Sequence, residues 1–251
     1  MIIQLAFNKK NYSANLHEPL DISIPIREGN NNPSCYWAEA VKFETIESGN
    51  FIGSVDLGGS VNYQKLTLTP HGNGTHTECY GHITADRAVI NETLKHHHFF
   101  TELITVEPAK LNDDDQVITR EALQQKIKYK TKALVIRTLP NTPEKKLRQY
   151  SGTNPPYLQA DAVSYLVEWG VEHLVLDLPS VDKEVDGGKL AGHRAFWKFP
   201  EQVRTGCSIT ELAFIENTIP DGLYLMNLQL INLEMDACPS RPMLFKLTEV
   251  L

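Results

Sequence analysis

Cysteine is scarce in this 251-residue chain, and its four cysteines are widely separated with no Cys-x-x-Cys pair. This spacing gives no basis for a zinc knuckle or a disulfide framework. No apolar run approaches the roughly 20 residues that cross a bilayer. The apolar start of the chain is interrupted by Asn8, Lys9 and Lys10, which is unlike a secretory signal peptide. We therefore expect a cytoplasmic protein.

Positive charge is also in short supply. The chain has 24 Lys and Arg residues against 31 Asp and Glu residues, which gives a net charge of -7, and it has no long basic run. These features argue against a nucleic-acid partner and against an anionic membrane surface. Because 41% of the residues are hydrophobic, the chain can bury a full core. A small-molecule substrate is the expected partner.

Strand and helix patterns alternate in the middle of the chain. Residues 133–138 form a short apolar strand, and residues 158–169 carry apolar side chains at helical spacing. Gly170 is placed to end that helix, and residues 171–178 predict a second buried strand. This strand-helix-strand unit predicts parallel pairing. No repeat or change in composition divides the chain, so residues 1–251 are expected to form one α/β domain.

Further elements flank this unit. Residues 21–26 alternate polar and apolar side chains, as a short strand does. Residues 61–69 are rich in β-branched and apolar residues, which predicts a strand that runs directly into a histidine-rich segment. Residues 118–127 have helical composition, with Thr119 as the N-cap.

The histidine-rich segment, residues 71–82, reads His-Gly-Asn-Gly-Thr-His-Thr-Glu-Cys-Tyr-Gly-His. On an extended backbone His76 and Glu78 share a face, so an imidazole nitrogen and a carboxylate oxygen can bind one divalent ion. His71 and His82 flank this pair. The alternative is a glycine-rich surface turn with solvated histidines, but the density of metal-binding groups favours a functional site.

Within this segment, Gly74, Thr75, His76 and His82 match the pattern His-x-Gly-Thr-His-x-Asp-x-Pro-x-His. The chain thereby resembles the cyclase-like metal-dependent hydrolases, which include bacterial kynurenine formamidase and isatin hydrolase. The resemblance extends to residues 21–23, 134–138, 157–182, 219–224 and 236–241. It implies an α/β fold of one domain, with a mixed, barrel-like β core and outer helices (a swivelling β/β/α fold). It also implies a homodimer or homotetramer.

The resemblance implies a divalent metal, zinc or manganese, and the metal-dependent hydrolysis of an amide or cyclic amide bond in a small molecule, including aromatic ones. The implied metal ligands are His71, His76, Glu78, His193 and Glu211. His82 is the implied general base or acid. Glu216 is an alternative to Glu211, and Glu211 is preferred because residues 209–212 better resemble the family.

The chain departs from the family pattern at three positions. Gly72 stands where the first histidine belongs, and His71 is displaced by one residue, which on a regular strand reverses its side chain. A bulge at Gly72 would restore its direction. Glu78 replaces aspartate, which moves the carboxylate outward by about 1.5 Å, and Tyr80 replaces proline. Two interpretations stay open: a working hydrolase with an altered set of ligands, or a non-catalytic small-molecule-binding relative that has lost the metal.

The sequence does not specify the substrate, because specificity depends on loops that the sequence alone does not position. Trp37, Tyr80, Phe99 and Trp197 are candidates for an aromatic wall. Each of them is equally suited to the core, where large rings are usually buried.

Overall fold

A computed structural model describes residues 1–112 and 114–250. The strands are β1 (Ile2–Phe7), β2 (Lys10–Asn15), β3 (Leu20–Asp21), β4 (Lys42–Thr45), β5 (Glu47–Ser48), β6 (Phe51–Ile52), β7 (Gln64–Thr67), β8 (His76–Glu78), β9 (His98–Val106), β10 (Ala109–Lys110), β11 (Gln116–Ile118), β12 (Ala133–Thr138), β13 (Tyr157–Leu158), β14 (His173–Leu176), β15 (Ser208–Glu211), β16 (Gly222–Leu230) and β17 (Ala237–Val250). The α-helices are α1 (Ile90–Thr93), α2 (Arg120–Lys126), α3 (Ala160–Trp169) and α4 (Ala191–Trp197), and 3-10 turns span Tyr80–Ile83 and Pro143–Leu147.

Seven strands form a closed, mixed β-barrel. They pair in the order β17, β16, β9, β12, β14, β15 and β8, and β8 pairs again with β17, which closes the sheet. Strands β9, β12, β14 and β15 run parallel to one another, and the remaining barrel pairings are antiparallel. The expected mixed, barrel-like β core is thus confirmed. The hairpin of β1 and β2 extends the sheet beyond β17.

Strand β12 contributes to two hydrophobic cores, one on each face of the barrel sheet. All six of its residues are buried, as expected of a parallel strand that is covered on both faces. Because neighbouring side chains point to opposite faces, Leu134 and Ile136 join a core that includes the helices α2, α3 and α4. Ala133 and Val135 face the other way and join the core inside the barrel.

The predicted strand-helix-strand unit is present. Strands β12 and β14 pair in parallel, and α3 connects them. Gly170 ends α3 in the left-handed region at φ 103°, where glycine is favoured, and its N–H donates to the carbonyls of Leu166 and Val167. The Thr119 hydroxyl caps α2 by accepting from the N–H of Ala122.

Two strand predictions were wrong in extent. Within residues 21–26, only Asp21 belongs to a strand, as the second residue of β3. Within residues 61–69, the strand β7 covers Gln64–Thr67, its four residues are exposed, and it pairs with β4 outside the barrel. A turn follows β7, so the histidine-rich segment does not continue that strand. The barrel strand of this region is β8, which lies inside the segment itself.

Residues 42–67 form an outer arm made of two small antiparallel pairs, β4 with β7 and β5 with β6. Large apolar side chains on this arm are exposed to solvent: Phe51, Val55, Leu57, Val61, Tyr63 and Leu66. Small two-stranded units gain little stability on their own. Elsewhere, none of the helices among the described residues has both the length and the apolar character needed to cross a membrane.

Candidate metal centre

The barrel strand β8 carries the centre of the site. His76 and Glu78 are fully buried and, being two residues apart, point to the same face. Strand β15 pairs with β8 and sets Glu211 opposite His76. His82 follows in the 3-10 turn, and His193 lies in α4. Three parts of the chain that are distant in sequence therefore converge: β8 with its 3-10 turn, α4 and β15.

His71 reaches this point from a turn, and the argument from strand alternation does not apply to it. The N–H groups of Gly72 and Asn73 both donate to the carbonyl of Thr69, and the Asn73 side chain accepts from the N–H of Thr69. The chain therefore bends between β7 and β8, and no strand bulge is needed. His71 Nδ1 lies 3.2 Å from Glu78 Oε2.

Gly72 has no room for a side chain. A Cβ atom at this position would lie 2.3 Å from Cβ of Ala38 and 3.2 Å from the carbonyl oxygen of Cys35. The Cys35 N–H donates to the Gly72 carbonyl, so the two segments are held close together. The position where the family pattern has histidine therefore cannot hold one with this backbone.

Glu78 is surrounded by histidines. Its Oε1 lies 3.0 Å from His193 Nε2. Its Oε2 lies 3.2 Å from His71 Nδ1 and 3.9 Å from His82 Nε2. A buried carboxylate is costly unless cations or hydrogen-bond donors surround it. These three imidazoles supply that environment from three different segments.

Asp182 orients His193. Its Oδ2 lies 2.6 Å from His193 Nδ1, and its two oxygens accept from the N–H groups of Gly192 and His193. The carboxylate thus holds both the first turn of α4 and the imidazole ring. The other nitrogen of the ring is left facing Glu78, which is the arrangement in which a carboxylate fixes the orientation of a metal-binding histidine.

The structure separates the two candidate glutamates. Glu211 is buried in the cluster: its Oε2 lies 3.5 Å from His76 Nε2, and its Oε1 accepts from the N–H of Val181. Glu216 forms an ion pair with Lys146 and lies outside the cluster. The placement of Glu211 agrees with the preference drawn from the sequence.

Asp236 is a member of the cluster that the sequence did not indicate. Its Oδ2 lies 2.8 Å from His71 Nε2 and 3.3 Å from His82 Nδ1. It precedes β17, whose pairing with β8 brings the end of a late strand beside Glu78. The family resemblance over residues 236–241 includes this residue, but its place in the cluster depends on a pairing that spans more than 150 residues.

The acidic and basic side chains of the cluster stabilise one another's charged forms. Burial disfavours the charge on Glu78, but His82 and His193 outweigh burial and hold the pKa of Glu78 well below its usual range. Burial likewise lowers the pKa of His71, but its contacts with the carboxylates of Asp236 and Glu78 outweigh burial and raise the pKa to about 10. The pKa of His193 is raised well above its usual value, because Glu78 and Asp182 outweigh its burial. Without a metal, both shifts favour the protonated, cationic form of these two histidines.

The cluster opens into a cavity of about 280 Å³, lined by His71, His82, His193, Glu211 and residues of the loop 180–190. The aromatic residue at its wall is Tyr36. Of the four candidates for an aromatic wall, Phe99 and Trp197 are core residues, Tyr80 packs partly buried against the core, and Trp37 is 71% exposed. Sequence reasoning missed Tyr36 because its segment is held in place by distant residues.

The donor set fits a divalent metal. Two buried atoms in the cluster, His76 Nε2 and Glu78 Oε2, make no hydrogen bond of acceptable geometry. Their charged neighbours, Glu211 Oε2 at 3.5 Å and His71 Nδ1 at 3.2 Å, contact them only as ion pairs. A bound divalent ion would give both atoms a partner. One potential ligand atom from each of His71, His76 and Glu78 lies within 4.8 Å of the others, and the same holds for Glu78, His82 and His193. Imidazole nitrogens together with carboxylate oxygens are typical zinc ligands.

Comparison with known proteins gives the family. The family model named Cyclase, described as "Putative cyclase", matches residues 20–183, which is more than half of the chain. The chain belongs to the Cyclase family. The matched region contains the histidine-rich segment and Asp182, but it ends before His193, Glu211 and Asp236.

Relatives of this family member include kynurenine formamidases. The one from Bacillus mycoides (strain KBAB4) is 27% identical over 225 residues, which is 88% of this chain and 94% of the relative. The one from Bacillus cereus (strain ATCC 14579) is 28% identical over 228 residues, 89% of this chain and 95% of the relative. The similarity therefore spans nearly the full length of both chains.

Solved structures of the family share the fold. One is described as a potential metal-dependent hydrolase with cyclase activity. It has a TM-score of 0.66 and 18% sequence identity, and the match covers 91% of this chain and 97% of the chain in that structure. Another is an isatin hydrolase bound to the product analogue thioisatinate. It has a TM-score of 0.64 and 14% sequence identity, and the match covers 92% of this chain and 94% of the chain in that structure. At these identities the comparison establishes the architecture.

Restoring the family's histidine at position 72 should damage the fold. We expect Gly72→His to lower the free energy of unfolding by about 1–3 kcal/mol, because the new side chain overlaps Ala38. Thermal or urea unfolding measures this loss. Removing the obstacle in the double variant with Ala38→Gly should recover part of it. Equal stability of Gly72→His and the wild type would show that the turn has more space than the structure indicates.

Metal binding should release protons. Because the pKa of His71 is raised to about 10 and a metal binds only the neutral imidazole, zinc affinity should rise with pH from neutrality toward 10. Calorimetry in buffers of different ionisation enthalpy should show at least one proton released per zinc ion near neutral pH. His71→Ala should release fewer protons than the wild type. Zinc binding with no proton release would contradict the protonated state of His71.

Proposed function

We propose that this protein is a metal-dependent hydrolase that cleaves the amide bond of a small aromatic amide, such as an aryl formamide or a cyclic amide. The observation that carries the proposal is the buried carboxylate of Glu78, set among three histidines, with its Oε2 and the nearby His76 Nε2 making no hydrogen bond of acceptable geometry. Perturbed, clustered titratable groups at the end of a cavity are typical of catalytic sites. The kynurenine formamidase relatives support the same reaction class.

The metal would be held by the sequence-predicted ligands, His71, His76 and Glu78, with His193 and Glu211 on the side of α4 and β15. A divalent ion bound there acidifies water and polarises a carbonyl oxygen. Nitrogen donors from imidazoles outnumber the carboxylates in this set, which favours zinc over manganese, since manganese prefers oxygen-rich sites. The residues around the ion keep their own partners, so their orientation does not depend on the ion alone.

His82 is the residue placed to move the proton. It lines the cavity, its Nδ1 faces Asp236, and its Nε2 faces Glu78 and the cluster. In amide hydrolysis water adds to the carbonyl carbon and the C–N bond breaks. His82 would accept the proton that the water loses and deliver it to the departing nitrogen, which is general base and then general acid catalysis by one group.

The cavity limits the size of the substrate. At about 280 Å³ it is near the lower end of small-molecule sites, so it suits a single ring with short substituents. Tyr36 provides an aromatic surface at the wall, and Leu190 adds an apolar contact. An aromatic ring packs favourably against such surfaces, while the amide group would point toward the histidines.

Removing the His82 imidazole should abolish turnover and keep the metal. For His82→Ala we expect kcat to fall by about 10²–10⁴-fold, the usual contribution of general acid-base catalysis. The measurement is hydrolysis of N-formylkynurenine and of isatin by the zinc-loaded and manganese-loaded protein, together with metal content. His96→Ala is the matched control, because His96 is an exposed histidine outside the cluster.

The outcomes separate the two open interpretations. If the wild type takes up less than about a tenth of an equivalent of zinc or manganese, it is a binding protein without a metal centre, since complete sites bind far more tightly. If His82→Ala retains metal and wild-type turnover, another group moves the proton.

We also propose that the protein assembles as a homodimer or homotetramer through the outer arm, residues 42–67. Its support is that this arm exposes six large apolar side chains, which are of the kind that the core of a subunit interface buries. A second copy is the partner that the family resemblance suggests. Burial of this arm would also stabilise two strand pairs that have little core of their own.

A charge on the arm should break this assembly. We expect the wild type to have a solution mass of two or four times its 28.3 kDa chain, and the double variant Leu57→Lys with Val61→Lys to shift toward the single-chain mass. Light scattering after size-exclusion chromatography measures both. Ile2→Lys, which changes an exposed apolar residue of β1, should leave the mass unchanged. A wild type with the mass of one chain would contradict the proposal.

A further inference from the structure

We propose that Asp236 is a positioning residue that sets the tautomers of two histidines, His71 and His82, and thereby completes the metal centre. This inference rests on the metal-dependent function proposed above. Asp236 lies outside the family's hallmark segment and outside the region that the family model matches.

One oxygen of Asp236 serves both rings. Oδ2 lies 2.8 Å from His71 Nε2 and 3.3 Å from His82 Nδ1. The two imidazoles lie nearly face to face, with ring centroids 4.2 Å apart and an angle of 33° between their planes. Their opposite nitrogens both face Oε2 of Glu78, at 3.2 and 3.9 Å. The two rings thus lie between two carboxylates, Asp236 on the outer side and Glu78 on the inner side.

The backbone keeps Asp236 in this position. Its carbonyl accepts from the N–H of Cys79, which immediately follows Glu78. The next residue, Ala237, is paired with Glu78 across β8 and β17, and the preceding residue, Met235, accepts from the N–H of Ile90. Asp236 and the residue after it are therefore fixed beside β8, and the residue before it is fixed to the start of α1.

The other histidines of the cluster show the same arrangement. His76 Nδ1 lies 3.0 Å from the carbonyl oxygen of Gly74, and His193 Nδ1 lies 2.6 Å from Asp182. Each ring has an acceptor on its outer nitrogen and directs its other nitrogen inward. His71 and His82 share one acceptor, Asp236. Asp236 therefore orients these two rings in the way that the Gly74 carbonyl orients His76 and Asp182 orients His193.

The consequence follows from imidazole chemistry. A neutral imidazole has one N–H, and a carboxylate acceptor holds that hydrogen on the nearer nitrogen. His71 then donates from Nε2 and keeps a lone pair on Nδ1, directed at Glu78 and the metal. His82 donates from Nδ1 and keeps Nε2 free to take a proton. The 2.8 Å contact with His71 has the length of a hydrogen bond, so Asp236 acts on the rings and is not itself a ligand in this arrangement.

Zinc binding to the purified protein tests this role. We expect Asp236→Ala to weaken zinc binding by about 10–100-fold, the usual effect of removing a carboxylate that orients a metal-binding histidine. Asp236→Asn should weaken it less, because the amide oxygen still accepts a hydrogen bond. Competition with a chelator gives the dissociation constants. Glu234→Ala, a change at an exposed carboxylate two residues away, should match the wild type.

A second measurement separates positioning from general structural support. In nitrogen-15 NMR of the zinc-loaded wild type, the His71 ring should carry its hydrogen on Nε2 and the His82 ring on Nδ1. The tautomer of His82 should become mixed in Asp236→Ala, while His193, held by Asp182, stays unchanged. Asp236→Asn provides the same test if the alanine variant folds poorly, and it should shift the tautomer populations in the same direction.

The results that would overturn the inference are distinct. Unchanged zinc affinity and unchanged tautomers in the Asp236 variants would reject it while leaving the proposed function intact. A wild type that binds no zinc would reject the proposed function and this inference together.

Discussion

Burial of the Glu78 carboxylate is the constraint on which the rest of the site depends. Removing an ion from water costs several kcal/mol even after the protein relaxes, unless charges and hydrogen bonds compensate. Here the compensation comes from His71, His82 and His193, which approach from a turn, a 3-10 turn and a helix. Their protons or a bound metal can supply the positive charge. The conformations of these three segments are therefore coupled to one side chain on β8.

The elements that the sequence predicted well are those with local signals. Strand β12 is a continuous apolar run, and α3 has helical spacing and ends at Gly170. Strand β8 is different, because its three residues His76–Glu78 have no strand-like composition. They are extended because β15 and β17 pair with them on both sides. Pairing between distant segments cannot be read from a window of neighbouring residues.

The residues of the site likewise fall into those that the sequence predicted and those that it did not. The family pattern led to the histidine-rich segment, to His193 and to the choice of Glu211, and the structure brings all of these together. It covered Asp236 without assigning it to the site, because pairing of β17 with β8 brings that residue to the cluster. It did not lead to Tyr36, which has a left-handed backbone (φ 53°) beside the cavity. The strand argument about His71 failed because it assumed regular alternation where the chain makes a turn. A family resemblance indicates which residues of the sequence belong to the site. The contacts that depend on pairing between distant strands become visible only in the three-dimensional structure.

Two of the three departures from the family pattern, the glutamate at position 78 and the histidine displaced to position 71, contact each other. Glutamate in place of aspartate extends the carboxylate by about one C–C bond, about 1.5 Å, and His71, which meets it, comes from a turn one residue earlier in the chain. Asp236 then contacts the outer edge of His71. On the other side of Glu78, His193 retains its expected place and is held by Asp182. Because the longer carboxylate of Glu78 and the displaced His71 contact each other at 3.2 Å, the two departures act as one change in the cluster, and Asp236 contacts the same histidine from its other nitrogen.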